Sequence, residues 1–520
     1  MIRILILFLS GITTALPLIM PRLSFLSWFS VIPLIYAAYE YRFVYFYGLI
    51  WGIGYFGVLY YWFVYLYPMD YAGLNGAESI AAIITAWLGM ALMQGIEIAF
   101  VPYLFKKINK DRKNILSAVL FAAMWVLLEW FQTQTWTGVP WGRIAVSQYT
   151  ARAVIQIASA AGSLAVSFLI IFINCLLTLA LLKYKDGGEV KKARDHALFA
   201  LVVFMFNLSF GFINLSLYKE TGVPVKTALI QGNIASAEKW AENAVEYSIE
   251  KYLSLSEKTA VYDPDIILWP ETVIPVSPDS VKYKEYFEDI KAFAYNRGIV
   301  LLIGSYDISY NQIKEGYDIY NAIFTINPDG SFNEAPYYKR HLVPFGEYLP
   351  MPQVIKTFLP AVSGLNVFEN DITPGTSPAV SSTKFGNIGF LICFDSIYET
   401  LTVDTVRAGA ELIALSTNDS WYKDSAAVYQ HNGHAVLRAV ESGKYIIRAA
   451  NTGISSIIRA DGKIMNYLAP LTEGIVCGEV YMRSGMTIYA LTGNIIVWVS
   501  GIFTLSIITV NIFAKRKKNG

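Results

Sequence analysis

At 520 residues the chain is too long for one ordinary soluble domain and long enough for two or three. Hydrophobic residues make up 55% and charged residues only 16%, with 41 Lys and Arg against 40 Asp and Glu; that balance excludes disorder and leaves no net field to attract nucleic acid. Three cysteines exclude a disulfide scaffold, and four histidines with no Cys/His cluster at ligand spacing argue against a metal site.

So apolar an average belongs to a chain that crosses a membrane repeatedly, each crossing needing about 20 mostly apolar residues. In chain order, spans are expected over residues 4–20, 24–39, 45–66, 81–105, 115–131, 160–182 and 198–217, and an eighth over 488–513. The first is expected to remain as a span rather than be removed as a leader. Three dense basic clusters lie between or after them: Lys106 to Lys113, Lys183 to Arg194, and the tail Lys515, Arg516, Lys517 and Lys518. The positive-inside rule puts all three in the cytoplasm. Both termini then lie inside, while the connections 67–78 and 132–159 and everything between the seventh and eighth spans lie outside. Gln94, Glu97 and Glu129 fall within spans, where a polar group points either to function or to an internal partner.

Residues 219–485 read differently, as short apolar runs broken by charges, Gly and Pro. Strands are expected at 227–230, 266–268, 300–303, 321–326, 388–393, 412–416, 445–449 and 455–458. Helices are expected at 238–259, 281–296, 400–408 and 426–442, and Asp461-Gly462 reads as a hairpin turn. The organisation is therefore a seven-span region over 1–218, one layered α/β or α+β domain over 219–485, and a closing span with a basic tail over 486–520.

Three places in this domain carry chemistry. Trp269-Pro270-Glu271 ends an apolar strand on a carboxylate, Lys339 opens a proline-locked loop running through Pro344-Phe345-Gly346-Glu347-Tyr348, and Cys393-Phe394-Asp395 ends a buried-looking strand on a thiol. Groups at strand ends are held by a rigid sheet and opened to a cleft. A thiolate is the best side-chain nucleophile near neutral pH, a carboxylate can take its proton, and an ammonium can stabilise an oxyanion. By spacing alone an isolated cysteine after a hydrophobic run is more often inert core, and lone Glu and Lys residues are usually solvated. His431 and His434, at i and i+3, read as packing or hydrogen-bonding groups, and Arg438, Glu441 and Arg448 as structural ion pairs.

The three segments, in this order, resemble the signatures of the nitrilase (carbon–nitrogen hydrolase) superfamily. Seven spans before the domain and one after resemble its membrane branch, the bacterial apolipoprotein N-acyltransferases. Gln231-Gly232-Asn233, Asn418-Asp419-Ser420-Trp421-Tyr422, Arg448 to Gly453 and, in the membrane region, Gly138-Val139-Pro140-Trp141 add to the likeness. The resemblance implies an α-β-β-α sandwich on the periplasmic side of the bacterial inner membrane, with a catalytic triad of Glu271, Lys339 and Cys393. Glu347 and Asp395 would support the triad; the family commonly has Glu where Asp395 stands, so its part in lining the site is less secure. Trp240, Trp141 and Phe345 would line the acyl-chain cleft. The implied reaction moves a fatty acyl chain from a phospholipid, through a cysteine thioester, to the α-amine of an S-diacylglyceryl-cysteine apolipoprotein. It implies no cofactor, no metal and no nucleic acid, and a monomer in the bilayer. The alternative on the same fold is a membrane-anchored amidase that hydrolyses a small amide; a transporter with an outer binding domain would leave the three signatures unexplained.

Overall fold

Apolar segments that satisfy their own backbone hydrogen bonds form helices in the computed structural model, which describes every residue except 70–72, 111, 135–137, 236–242, 334, 354–356, 358–370 and 520. The chain divides into two units: Met1–Val64, Ala81–Tyr218 and Thr492–Gly520 form one, and Tyr65–Ile80 with Lys219–Leu491 form the other.

Among the described residues six helical stretches are long and apolar enough to cross a membrane, all in the first unit apart from the start of the third at Gly76–Ile80: Ile2–Ile19, Pro21–Glu40, Gly76–Asn109, Ser163–Lys185, Val190–Leu217 and Ile495–Lys515. Val44–Leu59 and Ile115–Phe131 are apolar but shorter, at 16 and 17 residues. The second expected span falls within Pro21–Glu40 but is not one continuous α-helix, and the third and eighth have other bounds than expected. The second is broken into a 3-10 helix, Pro21–Trp28, and an α-helix, Ile32–Glu40, because Pro21 and Pro33 lack the N–H needed to continue a helix and instead begin one. The third ends at Leu59, and Tyr61–Leu66 turns as a 3-10 helix. The eighth is divided at Gly493, whose left-handed φ of +67° separates Ile488–Thr492 from the long helix beginning at Ile495. The intramembrane polar groups have internal partners. Gln94 accepts from Tyr60 Oη (2.8 Å) and donates to Val139 O (2.9 Å), Glu97 accepts from Gln132 (2.9 Å), and Glu129 accepts from Trp125 Nε1 and Ile144 N, both at 3.0 Å. They hold the Pro140–Gly142 turn, and with it Trp141, against the helices.

In the second unit two six-stranded sheets face each other. The first runs in the order β12 (Gly474–Met482), β1 (Val223–Gln231), β2 (Ile266–Leu268), β3 (Val300–Asn311), β4 (Gly316–Ile326), β5 (Tyr337–Tyr338). The second runs β11 (Ile464–Leu468), β10 (Ser455–Ile458), β9 (Tyr445–Ala450), β8 (Leu412–Thr417), β7 (Gly386–Ile392), β6 (Val380–Thr383). β1, β2 and β3 are parallel, with Thr227 opposite Ile266 and Ile266 opposite Val300; β7, β8 and β9 are likewise parallel, with Ile388, Leu412 and Tyr445 in register. Helices Ala244–Glu257 and Lys284–Arg297 cover the first sheet, burying Ile249, Tyr252, Phe287 and Ile290 against Ala228, Ile267 and Leu301. Helices Glu399–Arg407 and Ala426–Ser442 cover the second. β1 meets β9 and β10, and β4 meets β7, so the layers stack α-β-β-α around an inter-sheet core. The turn at Asp461-Gly462 joins β10 to β11, with Arg459 N donating to Lys463 O at 2.8 Å. The helix expected from 238 starts at Ala244, residues 236–242 lying outside the described part.

Candidate active site

Glu271 follows the parallel strand β2 and Cys393 the parallel strand β7, while Lys339 follows β5, which pairs antiparallel with β4. β2 ends at Leu268, and Glu271 comes two residues after Trp269, whose buried indole donates to Ser256 Oγ (2.9 Å) and whose carbonyl accepts from Ser416 Oγ of β8 (3.0 Å). That last bond ties the two sheets together beneath the carboxylate. Gly304 of β3 lets the Glu271 backbone in: a Cβ there would lie 2.1 Å from Pro270 O and 2.8 Å from Glu271 Cα.

The Glu271 carboxylate is buried and fully dressed. Oε1 accepts from Asn321 Nδ2 (2.7 Å) and Lys339 Nζ (3.0 Å), and Oε2 accepts from the backbone N–H of Asn418 (2.8 Å). Lys339, 1% exposed, is fixed by its own N–H on Asn321 O (2.8 Å), and its ammonium also donates to Glu347 Oε1 at 2.9 Å. Glu347 is held in turn by Val343 N on Oε2 (2.8 Å) and by Asn321 Nδ2 on Oε1 (3.2 Å). Asn321, on β4, thus bridges both carboxylates. Sequence reading missed it, since a lone Asn in a strand carries no motif and only the register of β4 against β5 brings it here.

Cys393 corrects the expected strand by one residue: β7 ends at Ile392, and Cys393 begins a short 3-10 turn, Cys393–Ile397, with φ +47°. Left-handed backbone is uncommon and costly for a residue with a Cβ, and it persists only where neighbours hold it. Asp395 supplies part of that hold. Its Oδ2 accepts from Ile392 N (3.0 Å) and Tyr337 Oη (2.8 Å), and its Oδ1 from His341 N (2.8 Å). The shorter acid therefore ties the cysteine turn to the lysine loop, with both oxygens engaged in that task.

Electrostatics follow from burial. Burial pushes the Cys393 thiol well above its ordinary value, the Glu271 charge pushes the same way, and Lys339 pulls against them, so the resting sulfur carries its proton. Burial alone would discharge Lys339, but Glu271 and Glu347 outweigh it and hold the ammonium well above its usual range. A cavity of about 10 Å³ lined by Ile234, Ser248, Glu271, Val273 and Asn451 abuts the carboxylate, room for about one water.

Of the expected chain-lining residues, Trp240 lies outside the described residues. Trp141 is 1% exposed and packs beside Trp62 (6.0 Å between ring centres) in the first unit. Phe345 is exposed at the tip of the loop, in left-handed backbone at φ +63°, with its N–H on Tyr348 O (2.9 Å). Among the described residues one group of metal-ligating types comes together, Cys393, Asp419 and His431, with ligand atoms within 4.8 Å of one another. The Arg448 guanidinium sits 2.7 Å from Asp419 and 3.1 Å from His431 Nδ1, the place where a cation would have to go, so these residues do not fit a metal.

Both parts of the chain match described families: residues 10–176 the apolipoprotein N-acyltransferase N-terminal domain, and residues 226–485 the carbon-nitrogen hydrolases. An apolipoprotein N-acyltransferase from Geobacter metallireducens is 31% identical over 94% of this chain and 91% of its own. The chain belongs to the apolipoprotein N-acyltransferase family. A second family member, from Methylococcus capsulatus, is 28% identical over 91% of this chain and 88% of its own. Among solved structures, Saccharomyces cerevisiae Nit3, of the nitrilase superfamily, is 19% identical, covers 51% of this chain and 92% of its own, and has a TM-score of 0.38. As a family member the chain is an N-acyltransferase with a carbon-nitrogen hydrolase domain, which favours acyl transfer over hydrolysis of a small amide.

Proposed function

We propose that the chain moves a fatty acyl group from a phospholipid to the α-amine of an S-diacylglyceryl-cysteine apolipoprotein, with Cys393 as the acyl carrier, Glu271 as the base and Lys339 as the oxyanion stabiliser. The observation that carries this reading is the buried Glu271–Lys339 pair, 3.0 Å apart, whose opposite charges push the Cys393 thiol in opposite directions, the thiol itself being held in left-handed backbone.

In the first half-reaction Glu271 takes the thiol proton and the thiolate attacks the sn-1 ester carbonyl. Lys339 stabilises the tetrahedral oxyanion, the carbon–oxygen bond breaks, and Glu271 returns the proton to the departing glycerol oxygen as lysophospholipid leaves. In the second, the lipoprotein amine attacks the thioester carbon, Glu271 takes a proton from the nitrogen, and the carbon–sulfur bond breaks with the thiol restored. The amide product is far more stable than the thioester, so transfer runs forward without a cofactor. Glu347, on the ammonium and on no reacting atom, positions Lys339; Asp395 positions Cys393. Exposed Phe345 suits an acyl-chain contact.

Both substrates are lipids, and lifting an acyl chain into water costs about 0.8 kcal/mol per CH₂, which explains a catalytic domain built on membrane spans. The basic clusters support cytoplasmic termini and a periplasmic domain. Support also comes from the second unit itself: it includes Tyr65–Ile80, the connection expected on the outer side, and Lys423 Nζ donates to Tyr67 O at 2.7 Å within it. We read residues 1–218 and 486–520 as the membrane anchor and 219–485 as the catalytic domain. Every reacting group comes from one chain, as a monomer requires.

Detergent-purified protein incubated with phospholipid should accumulate a hydroxylamine-sensitive fatty-acyl adduct on Cys393 by mass spectrometry. Cys393→Ala should abolish it and Glu271→Gln slow it about 100-fold or more. An unmodified thiol with phospholipid, together with an adduct from a small amide, would overturn the transferase reading in favour of the amidase.

A further inference from the structure

Behind Cys393 lies a wholly buried polar network that the two half-reactions leave unused. His431, in the Ala426–Ser442 helix, Asp419, just after β8, and Arg448, on β9, are each 0% exposed. Charged and polar groups are rarely buried so completely without a function or full pairing. Asp419 is shared three ways: Arg448 Nη2 donates to Oδ2 (2.7 Å), and Thr417 Oγ1 (3.1 Å) and His431 Nδ1 (2.9 Å) meet Oδ1. Burial would raise the Asp419 carboxyl, but Arg448 and His431 outweigh it and hold it well below the usual carboxylate range, so the acid stays ionised.

The other end of the imidazole reaches the nucleophile. His431 Nε2 lies 3.0 Å from the carbonyl oxygen of Cys393 and 3.0 Å from Ser396 Oγ, which itself donates to the same carbonyl at 2.8 Å. A carbonyl oxygen only accepts, so Nε2 carries a proton and donates it. This carbonyl belongs to the residue whose φ of +47° turns the thiol out of β7. The segment that grips the imidazole also touches the rest of the machinery: Asn418 N donates to Glu271 Oε2 at 2.8 Å.

We propose that His431, held at Nδ1 between Asp419 (2.9 Å) and Arg448 (3.1 Å), is a positioning residue that pins the Cys393 turn through its carbonyl and so fixes the sulfur relative to Glu271 and Lys339. Neither His431 nor Asp419 touches substrate in this arrangement. The inference rests on Cys393 being the acyl carrier, but its test does not need a lipid. Asn places its side-chain amide near Nδ1 and loses the donor to Cys393; Gln places it near Nε2 and keeps that donor.

The test compares full-length wild type, His431→Asn and His431→Gln in detergent, reading Cys393 alkylation by iodoacetamide, acyl-transfer kinetics and the melting temperature. His431→Asn should slow alkylation at least tenfold and lower kcat at least 30-fold with KM within about threefold, while His431→Gln restores both to within fivefold of wild type. Equal losses in the two variants, or an unchanged alkylation rate in His431→Asn, would overturn the proposal. If His431→Asn does not fold, Asp419→Asn carries the same test, with alkylation slowed at least fivefold expected and no change overturning it. Slowed alkylation in a protein whose wild type forms no lipid adduct would sink the proposed reaction while leaving this positioning role standing.

Discussion

A lysine as buried as Lys339 survives as a cation only because two carboxylates surround it; remove that company and burial alone would drive the proton off. The arrangement fixes the ammonium and leaves the thiol, pushed up by burial and by Glu271, with its proton. His341, two residues on, shows the opposite outcome. Its ring stacks on Tyr398 with centres 3.6 Å apart, and burial, then the Lys339 charge, push it down from 6.5 to about 4. As pH falls from 6.5 the unfolded chain takes up this proton before the folded one does. The contribution of His341 to stability is therefore present above 6.5 and is lost as pH falls toward 4, amounting to roughly 3 kcal/mol at most and less for the solvent-facing edge of the ring. Melting temperatures measured between pH 7 and pH 4 should fall less steeply for His341→Gln than for wild type. Parallel slopes would remove His341 from the account.

At the scale of elements, the site depends on two strands coming closer than side chains allow. β3 passes the Pro270-Glu271 turn at Gly304, where a Cβ would sit 2.1 Å from a backbone oxygen that cannot move aside cheaply. Gly304→Ala should destabilise the protein by about 1–3 kcal/mol. Because the displaced backbone is that of Glu271, it should also slow Cys393 acylation at least tenfold, read by single-turnover mass spectrometry. A stable variant with normal acylation would mean that β3 does not set the place of the carboxylate. The turn at Cys393 follows the same logic: β7 delivers the residue, and Asp395, Ser396 and His431 decide how it leaves the strand.

Over the whole molecule, the alternation of basic clusters with apolar helices argues for one orientation in the membrane, and the argument can be checked residue by residue. Val261 is 99% exposed in the catalytic domain, and Lys515 is exposed near the end of the last helix. In a background carrying Cys175→Ala, Cys393→Ala and Cys477→Ser, Val261→Cys should react with a membrane-impermeant maleimide applied to cells with a permeabilised outer membrane. Lys515→Cys should react only after the inner membrane is opened. The reverse pattern would invert the topology and take the catalytic groups away from the leaflet that presents the lipoprotein.

By itself the sequence determined the division into apolar and soluble parts, because about 20 consecutive apolar residues have few other uses and short broken runs have no place in lipid. It also determined the central strands. β2 begins and ends where its apolar run does, since both of its faces are buried. The four strands it did not reveal, β5, β6, β11 and β12, are the four sheet edges, where one side has no strand partner and polar residues are tolerated. Glu271, Lys339 and Cys393 were legible only through their resemblance to a family, because a lone acid, base and thiol spread over 122 positions have no period to betray them. Tertiary structure alone decided that Asn321 bridges two carboxylates, that Asp395 ties two loops together, and that Asp419, His431 and Arg448 meet behind the sulfur. Each of those contacts joins segments distant in the chain, and only the stacking of two sheets brings them within a hydrogen bond of one another.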